Sequence, residues 1–411
     1  MEQYDVIIVG AGAGGLSAAV EVKRAKKSVL VIDRDKYVGG ILKQCVHDGF
    51  GLIKFRENLT GPEYIEKLID MTERLGVEIV TESTVLSIEK TSQFIVKYVN
   101  SEGIHTVKGL TVILASGCRE RTAKQVFLQG TRPAGVFTAG ECQYYINVLG
   151  KMPTKKCVIL GSGDVGLIMA MRLSIEGAIV EGVYETKSLP SGKESNVNKC
   201  LKTYDIPLHL NHTVTRVFGD GRLSGVEVAK IENGVIDESS KRIVECDALV
   251  LSVGLIPEIE LITSPSVHID PRTGSVFVDQ TMMTNFHGFF VCGNALHNND
   301  LVDYVSETAE IAGRSAATYE YHHRNIVNVI GGKNVNYVIP QRIDLTKDHD
   351  RVVCFFRTNE KIKSAVLTVS AKGKPIAKKR YQNLNSSSLQ RVIIDFRNVD
   401  EKDVVFDISE E

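Results

Sequence analysis

The stretch YDVIIVGAGAGGLSAAVEVKRAKKSVLVIDRD, residues 4–35, decides how this chain is read. A short apolar run ends in Gly10-x-Gly12-x-x-Gly15. A segment of helical period follows, and a second apolar run, SVLVID, ends at Asp33. Strand, tight turn, helix and strand, closed by an acid about 20 residues after the glycines, form the fingerprint of a dinucleotide-binding βαβ unit. Each glycine has its own task. Gly10 permits the turn, Gly12 lets the backbone approach a pyrophosphate, and Gly15 lets the helix pack close to the strand. The helix N-terminus offers free N–H groups and a partial positive charge to the phosphates. Asp33 is placed to accept hydrogen bonds from ribose hydroxyls.

The pattern occurs twice. Residues 155–186, KKCVILGSGDVGLIMAMRLSIEGAIVEGVYET, carry Gly161-x-Gly163-x-x-Gly166 and end near Glu185. Gly10 and Gly161 are 151 residues apart, and Asp33 and Glu185 are 152 apart. Each unit is followed by a second helical stretch, PEYIEKLIDMTERLG (62–76) and NVNKCLKTYD (196–205). Short alternating runs come next: VEIVT, VLSIEK and QFIVKYV in the first half, PLHLN, TVTRVF and GVEVAKIE in the second. Each half closes on an apolar run into glycine, TVILASG at Gly117 and ALVLSVG at Gly254. Glu185, at its strand end, favours NAD(H) by accepting from a free 2′-hydroxyl and repelling a 2′-phosphate. Lys187 leaves NADP(H) as the less favoured alternative.

A third apolar run, HGFFVCGNALHNNDLVDYVSETAEIAG (287–313), has no counterpart in the second half. It reads as a last strand ending at Gly293-Asn294 and a helix starting near Asp300, the piece a chain needs if it returns to its first domain. Beyond residue 331 the pattern changes. VVCFFRTN, SAVLTVSAK, RVIIDFRN and DVVFDIS alternate between polar turns and predict a small β-rich domain. Its lysines (Lys361, Lys363, Lys372, Lys374, Lys378, Lys379) read as solvated strand faces and edge protection, with a docking surface as the alternative.

With 43% hydrophobic and 24% charged residues, the 411-residue chain is ordinary for a globular protein and long enough for two or three domains. A net charge of −1 argues against electrostatic binding to nucleic acid or anionic membrane. No apolar run reaches the length of about 20 residues that spans a bilayer. Glu2 and Asp5 flank the first apolar run, where a signal peptide carries Lys or Arg. A cytoplasmic protein without a transmembrane segment is expected. The eight cysteines form no CxxC pair and no metal-type cluster, so no metal is expected. Cys157 and Cys292 lie in apolar runs and read as core residues of a protein in a reducing compartment.

Together these features resemble the two-dinucleotide-fold flavoproteins of the pyridine nucleotide–disulfide oxidoreductase superfamily, over residues 4–325. GGILKQCVHDGFGL (39–52), SGCRER (116–121), RPAGVFTAGECQ (132–143), SVGLIPE (252–258) and CGNALHNNDLVDYVSETAEIAG (292–313) are similar to one branch. That branch holds the FAD/NAD subunits of amine, opine and proline dehydrogenases and oxidoreductases associated with glycerol-3-phosphate dehydrogenases. The resemblance implies an α/β chain of two Rossmann-like three-layer domains, the second inserted in the first, ahead of the β-rich domain. It implies FAD binding by residues 1–120 and 256–330, NAD binding by 121–255, and a β-rich domain over 331–411. FAD would lie on Gly10, Gly12, Gly14, Gly15, Asp33, Arg34, Gly40, Gly117, Gly293, Asn294, Leu301 and Val302. NAD(H) would lie on Gly161, Gly163, Asp164, Val165, Gly166, Glu185 and Gly254.

Two departures follow. Some relatives carry a cysteine-rich iron–sulfur segment, whereas here only Cys354 lies beyond residue 292, so no such cluster is expected. Gly293-Asn294 stands where the superfamily often has Gly-Asp, and the Asn can still hydrogen-bond the ribityl chain. Flavin-dependent disulfide reductases of this superfamily present two cysteines, one to attack and one to resolve. This chain has Cys45 alone in the first segment and Cys142 alone in GECQYY (140–145).

Three functions remain open on the sequence. The first is an FAD-dependent NAD(H) oxidoreductase subunit passing electrons to or from a partner, a substrate-oxidising flavoprotein. The second is an NADH oxidase or peroxidase with Cys45 as catalytic thiolate, its pKa lowered by His47. The third is a nucleotide-binding scaffold. In the first, Cys45 and His47 merely line the flavin pocket.

Overall fold

The computed structural model describes residues 1–262, 266–400 and 403–411. It divides into two compact units, Met1–Cys118 with Pro257–Glu411, and Arg119–Ile256.

The first unit begins with β1 (Gln3–Val9), α1 (Ala13–Arg24) and β2 (Val29–Ile32), the βαβ unit that the glycine spacing predicts. After α2 (Gly61–Arg74) come β3 (Glu78–Val80), β4 (Thr84–Lys90), β5 (Phe94–Asn100) and β6 (Gly103–Leu114). The sheet order is β3-β2-β1-β6-β5-β4. Strands β3, β2, β1 and β6 run parallel, and β6, β5 and β4 form an antiparallel meander. Val6, Ile7 and Ile8 are buried on both faces, as a central parallel strand requires. α2 opens on a capping box, Thr60 and Glu63 each accepting from the other's backbone N–H.

The second unit repeats this plan. β7 (Val136–Thr138), α3 (Ala139–Asn147), β8 (Lys156–Leu160), α4 (Asp164–Ile175), β9 (Ile179–Glu185) and α5 (Glu194–Cys200) lead to β10 (Leu208–Leu210). The meander is β11 (His212–Asp220), β12 (Arg222–Glu232) and β13 (Arg242–Glu245), and β14 (Ala248–Leu251) closes the unit. Strands β10-β9-β8-β14-β7 form one parallel sheet.

The chain then returns to the first unit. β15 (Phe289–Val291) pairs with the C-terminal end of β6, and α6 (Val302–Ala317) packs against α1. Gly313 makes that packing possible, since a Cβ there would lie 2.5 Å from the Ala18 carbonyl oxygen.

The last segment contributes β16 (Ile326–Gly331), β17 (Val335–Ile339), β18 (Arg342–Asp344), β19 (Val352–Thr358), β20 (Ile362–Ala371), β21 (Lys374–Leu384), β22 (Gln390–Ile394) and β23 (Val404–Glu410). They form two sheets, β18-β16-β23-β20-β21 and β17-β19-β22. Val338, Phe356 and Val392 from one sheet and Leu367, Phe406 and Ile408 from the other share a core. Tyr337, Ile339, Phe355 and Leu389 instead join the core of the first unit. Along β19, Phe356 therefore faces the sandwich while Phe355 faces away, the alternation of a strand buried on both sides. β21 is an edge strand, and the six lysines noted in the sequence are exposed on it and around it.

Candidate functional site

The two glycine loops have the same construction. Gly10 and Gly161 have φ of 103° and 99°. A Cβ would lie 2.5 Å from the Ala115 carbonyl oxygen at Gly10, and 2.1 Å from that of Ser252 at Gly161. Gly15 and Gly166 face the loop itself, where a Cβ would come within 1.7 Å and 2.6 Å of the carbonyl oxygens of Gly10 and Gly161. These four glycines are required by protein packing.

The middle glycines differ. A Cβ on Gly12 would find nothing closer than the Gly40 Cα at 4.0 Å, and on Gly163 nothing closer than Ser252 Oγ at 3.7 Å. Both have extended backbone, φ −77° and −63°, which any residue adopts. The space beside each is bounded by the first turn of a helix whose N-cap has no side-chain hydrogen bond. Such a turn leaves N–H donors and a positive partial charge for a pyrophosphate.

The acids at the strand ends brace these loops. Asp33 accepts from the N–H of Ala11 and, at 2.8 Å, from that of Asp35. Glu185 accepts from Ser162 N–H at 3.1 Å and Ser162 hydroxyl at 2.5 Å, and from Lys187 N–H at 3.2 Å. Burial pushes the Glu185 carboxyl up, but the bonds from Ser162 and Lys187 outweigh it and hold the group below the usual carboxylate range. An ionised carboxylate retains acceptor capacity for ribose hydroxyls.

Around the first loop the structure gathers most of the residues expected there. Gly39 N–H donates to the Ala11 carbonyl at 2.9 Å, bringing Gly40 beside Gly12. Gly14 faces Val305 and Cys292. Gly293, at φ 62°, donates to Thr308 Oγ1 at 3.1 Å, which ties the end of β15 to α6. Leu301 is the N-cap of α6 and makes no side-chain cap hydrogen bond, and Val302 is the first helical residue. Gly117 and Gly254 have φ of 76° and 109°.

Other side chains expected at the two loops make protein contacts of their own or face outward. Asn294 turns its carbonyl oxygen inward to accept from Asn299 N–H and amide, leaving only its own amide as a donor. Arg34 is exposed and pairs with Glu258 at 3.2 Å. Asp164 accepts from Lys193 N–H and the Asn196 amide, fixing the start of α5. Val165 is exposed on the first turn of α4.

His47 Nδ1 bonds the Asp48 carbonyl at 3.0 Å, and its ring packs on Phe50 at 4.9 Å. Cys45 Sγ points to the Ile41 carbonyl at 3.4 Å. Burial pushes the Cys45 thiol up to about 12, opposite to the direction a nucleophilic thiolate needs. Cys142 is fully buried in the second unit's core and is also pushed up to about 12, by burial first and then by Glu141 and Glu120. None of the eight cysteines is in a disulfide.

Sequence reading missed Asp303. Its buried carboxylate accepts from the N–H groups of Gly51, Ile53 and Lys54, pinning residues 51–54 to the first turn of α6. Its only sequence signal is an acid near a helix start. Tyr64, Ser306 and Ser17 form a second buried link among α2, α6 and α1.

The model of the family described as pyridine nucleotide-disulphide oxidoreductase matches residues 4–320. A thioredoxin reductase of Treponema pallidum is 28% identical over 326 residues, covering 77% of this chain and 97% of that protein. Ferredoxin–NADP reductase 2 of Bacillus subtilis is 27% identical over 300 residues, covering 71% and 84%. Among solved structures, thioredoxin reductase from T. acidophilum aligns with a TM-score of 0.64 at 25% identity, over 77% of this chain and 99% of that one. A chain of L-proline dehydrogenase from P. horikoshii shares the fold, with a TM-score of 0.53 at 20% identity, over 77% and 55%.

Proposed function

This chain belongs to the pyridine nucleotide-disulphide oxidoreductase family and is an FAD-dependent NAD(P)H oxidoreductase, and we propose that it is an electron-transfer subunit without a dithiol relay. In this reading FAD lies in the first cradle, on Gly10–Gly15, Asp33, Gly40, Gly293 and the start of α6. NAD(H) lies in the second, on Gly161–Gly166 and Glu185. FAD held there would supply the hydride chemistry. The chain's own residues do the rest. The open spaces beside Gly12 and Gly163 admit the pyrophosphates, the acids hold the ribose hydroxyls, and the N-terminus of α6 offers positive charge to the flavin ring.

The observation that carries the reading is the state of the two single cysteines. A disulfide reductase needs an attacking thiolate and a resolving thiol. Cys45 and Cys142 are both pushed up by burial, and Cys142 belongs to a hydrophobic core. Without such a pair in this chain, the electron acceptor would be an external one. The branch motifs at 39–52, 116–121 and 292–313 support a substrate-oxidising flavoprotein as that partner. Glu185 supports NAD(H) over NADP(H). Eight cysteines outside any disulfide fit a reducing, cytoplasmic location, and no described helix is long and apolar enough to cross a membrane.

Anaerobic titration of the purified protein with NADH tests the proposal. One NADH should bleach one FAD, and the tagged chain should co-purify with a flavoprotein that oxidises a small substrate. Uptake of two NADH per FAD would reveal a further redox pair and overturn the reading.

A further inference from the structure

The family match ends at residue 320, and the C-terminal sandwich follows it. One residue of that sandwich reaches back to the loop between β15 and α6. Arg357, on the face of β19 that Phe355 shares, pairs with Asp300. One terminal guanidinium nitrogen donates to Asp300 Oδ1 and, at 3.1 Å, to the Asn298 carbonyl. The other donates to the Ser387 carbonyl at 2.5 Å, and Nε donates to the Tyr337 hydroxyl at 3.0 Å. Leu389 N–H donates to Asp300 Oδ2 at 2.5 Å. The two charged side chains are only 14% and 18% exposed. Such a pair, fully hydrogen-bonded and largely out of water, fixes geometry more firmly than a surface ion pair.

What it fixes is the leading turn of α6. Asp300 immediately precedes Leu301, the uncapped N-cap, and Val302, the first helical residue. His297 in the same loop is buried between Tyr337 and Phe355, with neither ring nitrogen hydrogen-bonded. Burial, and then the Arg357 charge, hold that imidazole neutral, lowered to about 3. Arg357 therefore has no competing cation beside it in this loop.

We propose that Arg357 is a positioning residue for the flavin: through Asp300 the C-terminal sandwich locks the turn whose N–H groups and positive helix end stabilise the reduced ring. The proposal rests on FAD occupying the first cradle. A donor helps a developing charge only if it is held in place beforehand. Reduced flavin carries more negative charge than oxidised flavin, so loosening the turn weakens binding of the reduced form more.

The test uses full-length Arg357→Lys, which keeps the charge but loses the fork, and Arg357→Gln. A control, Glu307→Gln with Arg391→Gln, removes another ion pair between α6 and the sandwich, 2.5 Å in the native protein. Apoprotein is titrated with FAD, the two-electron midpoint potential is measured against reference dyes, and apoprotein unfolding is followed. In the Arg357 variants, reduced FAD should lose about tenfold more affinity than oxidised FAD, a midpoint lower by about 30 mV. The control should keep the wild-type potential. A folded Arg357→Lys protein with wild-type affinity and potential would overturn the proposal, as would an equal shift in the control. Wild-type apoprotein that binds no FAD would overturn the cradle assignment itself, and the proposal with it.

Discussion

Replacing Gly12 and Gly15 by alanine, one at a time, separates a glycine that serves a ligand from one that serves the fold. At Gly12 the backbone is extended and the nearest atom to a new Cβ is 4.0 Å away. The apoprotein should tolerate Gly12→Ala. A gain of about 0.4–1 kcal/mol from a stiffer unfolded chain offsets the loss of a better N-cap, and the apoprotein melting temperature should stay within about 2 °C. FAD binding should not tolerate it. A methyl forced into a filled site costs about 1–3 kcal/mol, which is about fivefold to more than a hundredfold in Kd. At Gly15 the new Cβ would lie 1.7 Å from the Gly10 carbonyl oxygen. Gly10 cannot yield freely, because its N–H donates to the Ile32 carbonyl at 2.8 Å and its φ of 103° is fixed in the turn. Gly15→Ala should therefore cost about 3 kcal/mol of folding stability and lower the apoprotein melting temperature by about 5 °C or more. The assays are thermal unfolding of apoprotein and FAD titration followed by flavin fluorescence. The reasoning fails if Gly12→Ala binds FAD as tightly as wild type, or if it destabilises the apoprotein as much as Gly15→Ala does.

The second cradle should answer independently. Gly163→Ala should keep its flavin but show slower reduction by NADH in stopped flow, and full loss of flavin would count against the assignment of the two sites. Wild type should be reduced faster by NADH than by NADPH, and Glu185→Ser with Lys187→Arg should narrow that preference by about tenfold or more, near 1.4 kcal/mol of discrimination. A wild-type preference for NADPH would refute this. The Cys45 thiol, pushed up to about 12 by burial, stays protonated at neutral pH, so its alkylation rate, followed by mass spectrometry, should be slow and rise about tenfold per pH unit from pH 6 to 9 without a plateau. A plateau already reached at pH 8 would reveal a thiolate. Cys45→Ser should then keep NADH-to-dye activity within about threefold.

The repeated glycine loops, their acids and the returning strand and helix were legible because a dinucleotide-binding unit is local. Gly10, Gly15 and Asp33 lie within one βαβ stretch, and their spacing follows from helix and strand geometry alone. The alternating runs beyond residue 331 announced a β-rich region for the same reason, since strand period is also local. Other properties depended on neighbours distant in the chain. That Gly12 faces open space while Gly15 faces Gly10 is a matter of which atoms the fold brings near each Cβ. Activation of Cys45 by His47, two residues away, was one of the readings open on the sequence; in the fold His47 turns to Asp48 and Phe50, and burial pushes the thiol up. Asp303 reaches residues 51–54 across some 250 positions, and Arg357 reaches Asp300 across 57. Only the tertiary structure decides such contacts, because burial and long-range pairing arise from packing between elements and leave no period in either partner's own sequence.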